Sequence, residues 1–261
     1  MANKILVIAG SDSCGGAGIQ ADIKTATTLQ TYCATAITCL TAQNSQKIYD
    51  IFYPPTSFLN KQIEVILDDI KIDIIKIGML GSAEIISIVA EILERKAKHI
   101  PIIVDPVMIS TSGNRLLEYE AIEALKTKLI ANAYLVTPNI LEAEILAGIK
   151  IATLKDIKIA ARNIKNLGAK NILIKGGHNN FGKKILHYLL LTNNGEKIFS
   201  NKRLPFKSLH GTGCTLATAI SCFLSHNLSL ENSVNQANRF TCRAIKNSQE
   251  IGKGSRILKY C

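Results

Sequence analysis

Ile5-Leu6-Val7-Ile8-Ala9 is an unbroken apolar run that stops at Gly10-Ser11-Asp12. A run this short, bounded by turn residues, reads as a strand buried on both faces. Gly10 to Gly18 reads as a glycine-rich turn that closes with Gly15-Gly16-Ala17-Gly18. Over 19–30 the apolar residues Ile19, Ile23, Ala26 and Leu29 recur at spacings of three and four, which predicts a helix. A strand, a tight turn and a helix in that order begin a βαβ unit.

The same alternation continues down the chain. Strands are expected at 34–42, 73–77, 101–104, 133–137 and 171–175, and helices at 57–69, 82–97, 121–130, 141–146 and 155–167. Two further strands, 185–191 and 197–204, are joined through Asn193-Asn194-Gly195, which suits a hairpin. Helices over 215–226 and 230–248 follow. Repeated strand–helix order predicts an α/β fold with a central, mostly parallel sheet flanked by helices on both faces. No linker, low-complexity tract or internal repeat interrupts the 261 residues, so one domain over 1–261 is expected.

Composition removes several classes of function. The formal charge is +11, from 31 Lys and Arg against 20 Asp and Glu. The basic residues are dispersed, in clusters no longer than pairs such as Lys183-Lys184, and there is no Trp. Clustered charge and a stacking platform are both lacking, so nucleic acid is not the expected partner. No apolar run is long enough to cross a bilayer, and the five-residue run after Lys4 is too short for a signal peptide. Cysteines stand at 14, 33, 39, 214, 222, 242 and 261, an odd number with no close pair. That pattern argues against a secreted disulfide framework and points to the cytoplasm.

Polar and glycine residues gather just after the strands: Gly10 and Asp12, Gln43 and Asn44, Gly78 and Met79, Asp105, Asn139 and Glu142, and Lys175. In an open α/β sheet those ends line one crevice, where ligands bind. Late in the chain, His210-Gly211-Thr212-Gly213-Cys214-Thr215-Leu216-Ala217 runs into a helical pattern over 215–223. Gly211 and Gly213 let backbone N–H groups come close to an anion, and a helix start aims more of them at the same point. A thiol at Cys214 would lose its proton more easily there. Base, hydroxyl positioner, covalent nucleophile and small packing residue all stay open for it.

The other motifs carry two readings each. Gly15-Gly16-Ala17-Gly18 lacks the dinucleotide spacing, and no glycine loop is followed by a Walker lysine. It can hold backbone close to a small substrate, with Asp22 one helical turn on, or Asp22 can simply favour the helix start. Asn139 and Glu142 have capping-box spacing. Beside Asp105 they could also orient Mg²⁺ through waters, since hard cations take oxygen ligands. Lys175-Gly176-Gly177-His178 ends a strand with a lysine that could neutralise phosphate charge. No histidines have zinc-ligand spacing.

Taken together, these blocks resemble the hydroxymethylpyrimidine/phosphomethylpyrimidine kinases of thiamine biosynthesis, within the ribokinase-like superfamily. The resemblance runs from about Ile5 to Leu258. It is carried by Ala9-Gly10-Ser11-Asp12 with Gly15 to Asp22, Thr41-Ala42-Gln43-Asn44, Lys76-Ile77-Gly78-Met79-Leu80 and Asp105-Pro106-Val107-Met108. Thr137-Pro138-Asn139 with Glu142, Lys175 to His178, and His210 to Thr215 complete it. The resemblance implies ATP-dependent phosphorylation of 4-amino-5-hydroxymethyl-2-methylpyrimidine, then of its monophosphate to the diphosphate. Gln43 would bind the aminopyrimidine, with Gly10, Ala17, Asp22, Met79 and Val107 forming the rest of that pocket. Gly211, Gly213 and Cys214 would form the anion hole, Cys214 standing where most of the superfamily carries an aspartate base. Lys175, Asn139, Glu142 and Thr212 would meet ATP, and Asp105, Asn139 and Glu142 would meet Mg²⁺ through waters. A homodimer is also implied. Ser45-Gln46-Lys47-Ile48 departs from the pattern of relatives, which carry Thr and then Gly-Val, in the flap over the pocket. A pyridoxine or pyridoxal kinase of the same superfamily is the alternative reading. A silent ligand-binding protein on this fold is the minor one.

Overall fold

In the computed structural model, residues 3–109, 116–176, 185–206 and 208–260 are described. The apolar run at 5–9 lies inside β1 (Lys4–Asp12), which pairs in parallel with β2 (Tyr32–Gln43) on one side and β4 (Ile74–Ile77) on the other. Its side chains alternate between two hydrophobic layers, Leu6 and Ile8 into one and Ile5, Val7 and Ala9 into the other. A central strand covered on both faces has no polar positions, which is why the run is unbroken.

The parallel ladder continues through β5 (Ile102–Val104), β6 (Leu135–Val136) and β7 (Asn171–Lys175). The antiparallel hairpin of β8 (Ile185–Thr192) and β9 (Gly195–Lys202) closes one edge, and β3 (Ile48–Phe52), antiparallel to β2, closes the other. The nine strands run β3-β2-β1-β4-β5-β6-β7-β8-β9. One face is covered by α1 (Gly18–Thr28), α7 (Thr212–Ser225) and α8 (Leu230–Lys246). The opposite face carries α2 (Thr56–Asp69), α3 (Ala83–Lys96), α4 (Tyr119–Ala124), α5 (Ile140–Ala147) and α6 (Leu154–Lys165). A separate parallel pair, β10 (Leu209–His210) and β11 (Arg256–Ile257), lies just before α7 in the chain and near its end.

Three local differences from the sequence reading bear on the site. The glycine turn expected from Gly10 starts later, because β1 runs on to Asp12 and pairs Ser11 with Leu40 after an irregularity between Ala9 and Ser11. A bulge lets a ladder resume beyond one unpaired residue. The helix expected from residue 215 begins at Thr212, since Gly211 takes a left-handed φ of 84° and its carbonyl accepts the Thr215 N–H at 2.9 Å. Strand β3 was not anticipated at all: it is a partly exposed edge strand and carries no apolar periodicity to read.

Candidate active site

Parallel strands end at the same edge of a sheet, so β1, β2, β4, β5 and β7 deliver Gly10 to Asp12, Gln43, Gly78-Met79, Asp105 with Val107, and Lys175 together. The N-terminus of α7 turns into this edge. With Thr215 bonded to Gly211, the N–H groups of Thr212, Gly213 and Cys214 have no carbonyl within the helix to bond. They are the N–H groups expected to cradle an anion. A β-carbon at position 211 would collide with the Gly16 carbonyl. At position 213 it would lie 3.3 Å from Lys175 Nζ and 3.4 Å from Asp105 Oδ2, so the missing side chain keeps the space between cradle and lysine open.

Lys175 Nζ donates to Asp105 Oδ1 at 2.6 Å, and Thr137 Oγ1 donates to the same oxygen at 3.0 Å. Burial works against the lysine charge, but Asp105 and Glu142 outweigh it and hold the ammonium above its ordinary range. Asn139 and Glu142 form a complete capping box on α5: Asn139 Oδ1 accepts the Glu142 N–H at 2.9 Å, and Glu142 Oε2 accepts the Asn139 N–H at 2.8 Å. Burial and the nearby Asp105 push the Glu142 carboxyl up to about 7, against the pull of Lys175 and the N–H groups of Asn139 and Met108.

Among the described residues no three His, Cys, Asp or Glu side chains are grouped to hold a metal directly. Asp105 and Glu142 nonetheless fit a hydrated Mg²⁺. They are hard oxygen donors, both buried at this strand-end edge. Asn139 is committed through its oxygen to the helix start, so only its amide N–H groups remain to offer a phosphate. Gly177 and His178 lie outside the described residues.

The other half of the crevice is organised around Asp12. Its carboxylate accepts the N–H groups of Cys14, Gly16 and Ala17 at 2.9, 3.0 and 2.8 Å, and His210 Nε2 lies 2.8 Å from it. Burial raises this carboxyl, but the bond and charge of His210 and the backbone N–H groups outweigh that and leave it lowered. His210 Nε2 is also 3.1 Å from the Gln43 amide, whose oxygen meets Thr41 Oγ1 at 3.3 Å. Gly10 packs on Cys39 and Met79, and the Met79 carbonyl accepts from Thr38 at 2.7 Å. Val107 is held by its N–H to the Asp105 carbonyl at 2.8 Å. Ser45, from the divergent flap stretch, accepts the Gly254 N–H on its hydroxyl at 3.1 Å and the Ser255 N–H on its carbonyl at 2.8 Å. Sequence reading missed both His210 and Asp12 as a pair. The only local trace was an Asp placed to cap the following turn.

Two expectations need correction. Asp22 does not face the crevice: it is fully buried, with Lys76 and Thr218 on its oxygens, because α1 turns that position inward against β4 and α7. Cys214 does not gain acidity from the helix start. Dense surroundings push its thiol up to about 11, with Asp22 and Asp105 adding to the rise and Lys76 and the Gly18 N–H opposing it. The residue keeps partial exposure all the same.

The family model for phosphomethylpyrimidine kinase matches residues 12–259. The chain is 39% identical over 259 residues to the hydroxymethylpyrimidine/phosphomethylpyrimidine kinase of Aquifex aeolicus, covering 98% of this chain and 99% of that one. It is 41% identical over 251 residues to the thiamine biosynthesis bifunctional protein of Geobacter sulfurreducens, covering 96% of this chain but only 50% of that longer protein. Among solved structures, phosphomethylpyrimidine kinase from Clostridium difficile 630 superposes with a TM-score of 0.83 at 39% identity, over 93% of this chain and 99% of that one. Pyridoxal kinase from Staphylococcus aureus in complex with ADP superposes with a TM-score of 0.91 at 33% identity, over 100% of this chain and 94% of that one. With the strand-end crevice and the α7 cradle in place, these matches identify the chain as a member of the hydroxymethylpyrimidine/phosphomethylpyrimidine kinase family on the ribokinase-like fold.

Proposed function

We infer that the protein transfers the terminal phosphoryl group of ATP to the 5-hydroxymethyl group of 4-amino-5-hydroxymethyl-2-methylpyrimidine, and then phosphorylates the monophosphate to the diphosphate. The observation that carries the reading is the set of free N–H groups at Thr212, Gly213 and Cys214 facing the Lys175 ammonium across the space that Gly213 leaves open. Donors fixed in advance around a transferring phosphoryl group stabilise its charge without reorganisation. Gln43 has both a donor and an acceptor to set against the ring edge, and its amide is oriented by His210 and Thr41. Gly10, Ala17, Met79 and Val107 complete the ring pocket. Asn139, Thr212 and Lys175 meet the nucleotide phosphates. Asp105 and Glu142 would hold Mg²⁺ through its water shell, and the ion would neutralise phosphate charge. Cys214, protonated at neutral pH, holds the substrate hydroxyl in line rather than waiting as a thiolate.

Incubation with the pyrimidine, ATP and Mg²⁺, followed by ³¹P NMR, should show the monophosphate and then the diphosphate. Folded protein that consumes neither substrate would reject the reading. The close superposition on a pyridoxal kinase supports a second activity on pyridoxal, a flat ring that also carries a hydroxymethyl group. The ratio of kcat/KM for the two rings decides the order. A homodimer is also proposed: Tyr49 and Phe52, on the edge strand β3, stay exposed, and apolar side chains at an edge suit an interface. A monomer mass in light scattering would overturn it.

A further inference from the structure

Lys76 is a large side chain buried completely, and nothing in the transfer chemistry uses it. The alternation of β4 places Ile75 and Ile77 in one layer and turns Ile74 and Lys76 toward α1 and α7. The Lys76 ammonium lies 3.0 and 2.9 Å from the two oxygens of Asp22 on α1. Asp22 Oδ1 also accepts from Thr218 Oγ1, on α7, at 2.6 Å. All three residues are buried. Thr218 stands one helical turn after Cys214, on the same face of α7. A β-carbon at Gly78 would lie 3.0 Å from Lys76 Nζ, so the ammonium sits directly under the strand end that carries Met79.

Taking two charges out of water is costly, and apolar side chains would fill the same layer without that cost. What the ion pair supplies is direction: charge-assisted bonds join β4, α1 and α7 in one geometry. We propose that Lys76 is a positioning residue for phosphoryl transfer, acting through Asp22 and Thr218 to fix the first turns of α7 and so the aim of the Thr212, Gly213 and Cys214 amides and the Cys214 thiol. The role rests on the reading of that N-terminus as the phosphoryl cradle. The charged and titratable groups around the thiol are Lys76 from β4, Asp22 from α1, Asp105 beyond β5, Lys175 at the end of β7 and Tyr260 near the C-terminus. Of the two members of the pair, Lys76 favours an ionised thiol and Asp22 opposes it.

The test compares Lys76→Met, Asp22→Asn and Thr218→Val by steady-state kinetics on the pyrimidine and by the rate at which iodoacetamide alkylates Cys214 at neutral pH, read by peptide mass spectrometry. Each variant should lower kcat by about tenfold to 10²-fold, as small misplacements do, while the KM for the pyrimidine moves by less than about threefold. Lys76→Met should slow alkylation and Asp22→Asn should speed it, because they remove charges of opposite sign. A merely structural role would loosen packing in both and move alkylation the same way. Wild-type kcat in folded Asp22→Asn and Thr218→Val overturns the proposal, as does alkylation shifted in one direction by both charge variants. If Lys76→Met does not fold, the other two carry the test, since each keeps the shape of the side chain that it replaces. Alkylation needs no substrate, so a wild-type protein inactive on the pyrimidine would refute the assigned reaction while leaving the alkylation comparison readable.

Discussion

Lys175 Nζ sits 2.6 Å from Asp105 Oδ1, and both side chains border the space where a β-carbon at Gly213 would stand. The pair holds a positive charge beside three unbonded helix amides while keeping that charge from folding away. Lys175→Met should therefore lower kcat by about 10²–10³-fold, the range for loss of one preorganised donor. It should also lower the melting temperature, because Asp105 is left buried without its counter-charge, with Thr137 as its remaining donor. Turnover at the wild-type level would show that the amides suffice alone.

Cys214 holds its proton up to about pH 11, so roughly one molecule in 10⁴ carries the thiolate at neutral pH. Cys214→Ser should keep the fold and the KM for the pyrimidine, and lose about 10²-fold in kcat through a changed hydroxyl geometry. Parallel circular dichroism and steady-state kinetics read both. A wild-type rate that climbs tenfold for each pH step through the neutral range would instead identify the thiolate as the proton acceptor.

Gln43 is placed by the His210 ring and the Thr41 hydroxyl, with the rest of its amide left for a ligand. The bonds proposed between its amide and the ring would be the same before and during transfer. Gln43→Ala should raise KM by about tenfold to 10²-fold with little change in kcat. Equal loss in kcat would show that the amide also positions the hydroxymethyl group for attack.

Glu142 ionises near 7 in the folded protein against an ordinary value of 4.5. Between those values the folded state holds a proton that the unfolded chain has lost. Stability from this group is thus present at low pH and falls as pH rises, by up to about 3 kcal/mol once above 7. Urea titrations from acid to neutral pH, without Mg²⁺, should show the wild type losing stability relative to Glu142→Gln. A constant difference between the two would refute the shift.

Much of the fold was legible because strand and helix periods are local. The run at 5–9, the helix after Gly18 and the hairpin near Asn193 each announce themselves within a few residues. Legibility failed where burial is partial or where a boundary depends on a distant carbonyl. Strand β3 has no buried residue and no alternating pattern, and the start of α7 moved to Thr212 once Gly211 took its left-handed turn.

For the site, the order of residues determined which side chains stand at strand ends, and parallel pairing then had to bring them to one edge. The sequence alone also determined the glycine cradle, since only glycine leaves room for backbone to approach an anion. The tertiary structure alone decided which charges meet. Asp22 turned inward to Lys76, 54 residues away, instead of facing substrate, and Asp12 met His210 across 198 residues. It likewise decided the Cys214 thiol, whose helix start promised acidity and whose surroundings removed it. Ionisation depends on desolvation and on neighbours packed from other elements, and neither is encoded in the spacing of residues along one segment.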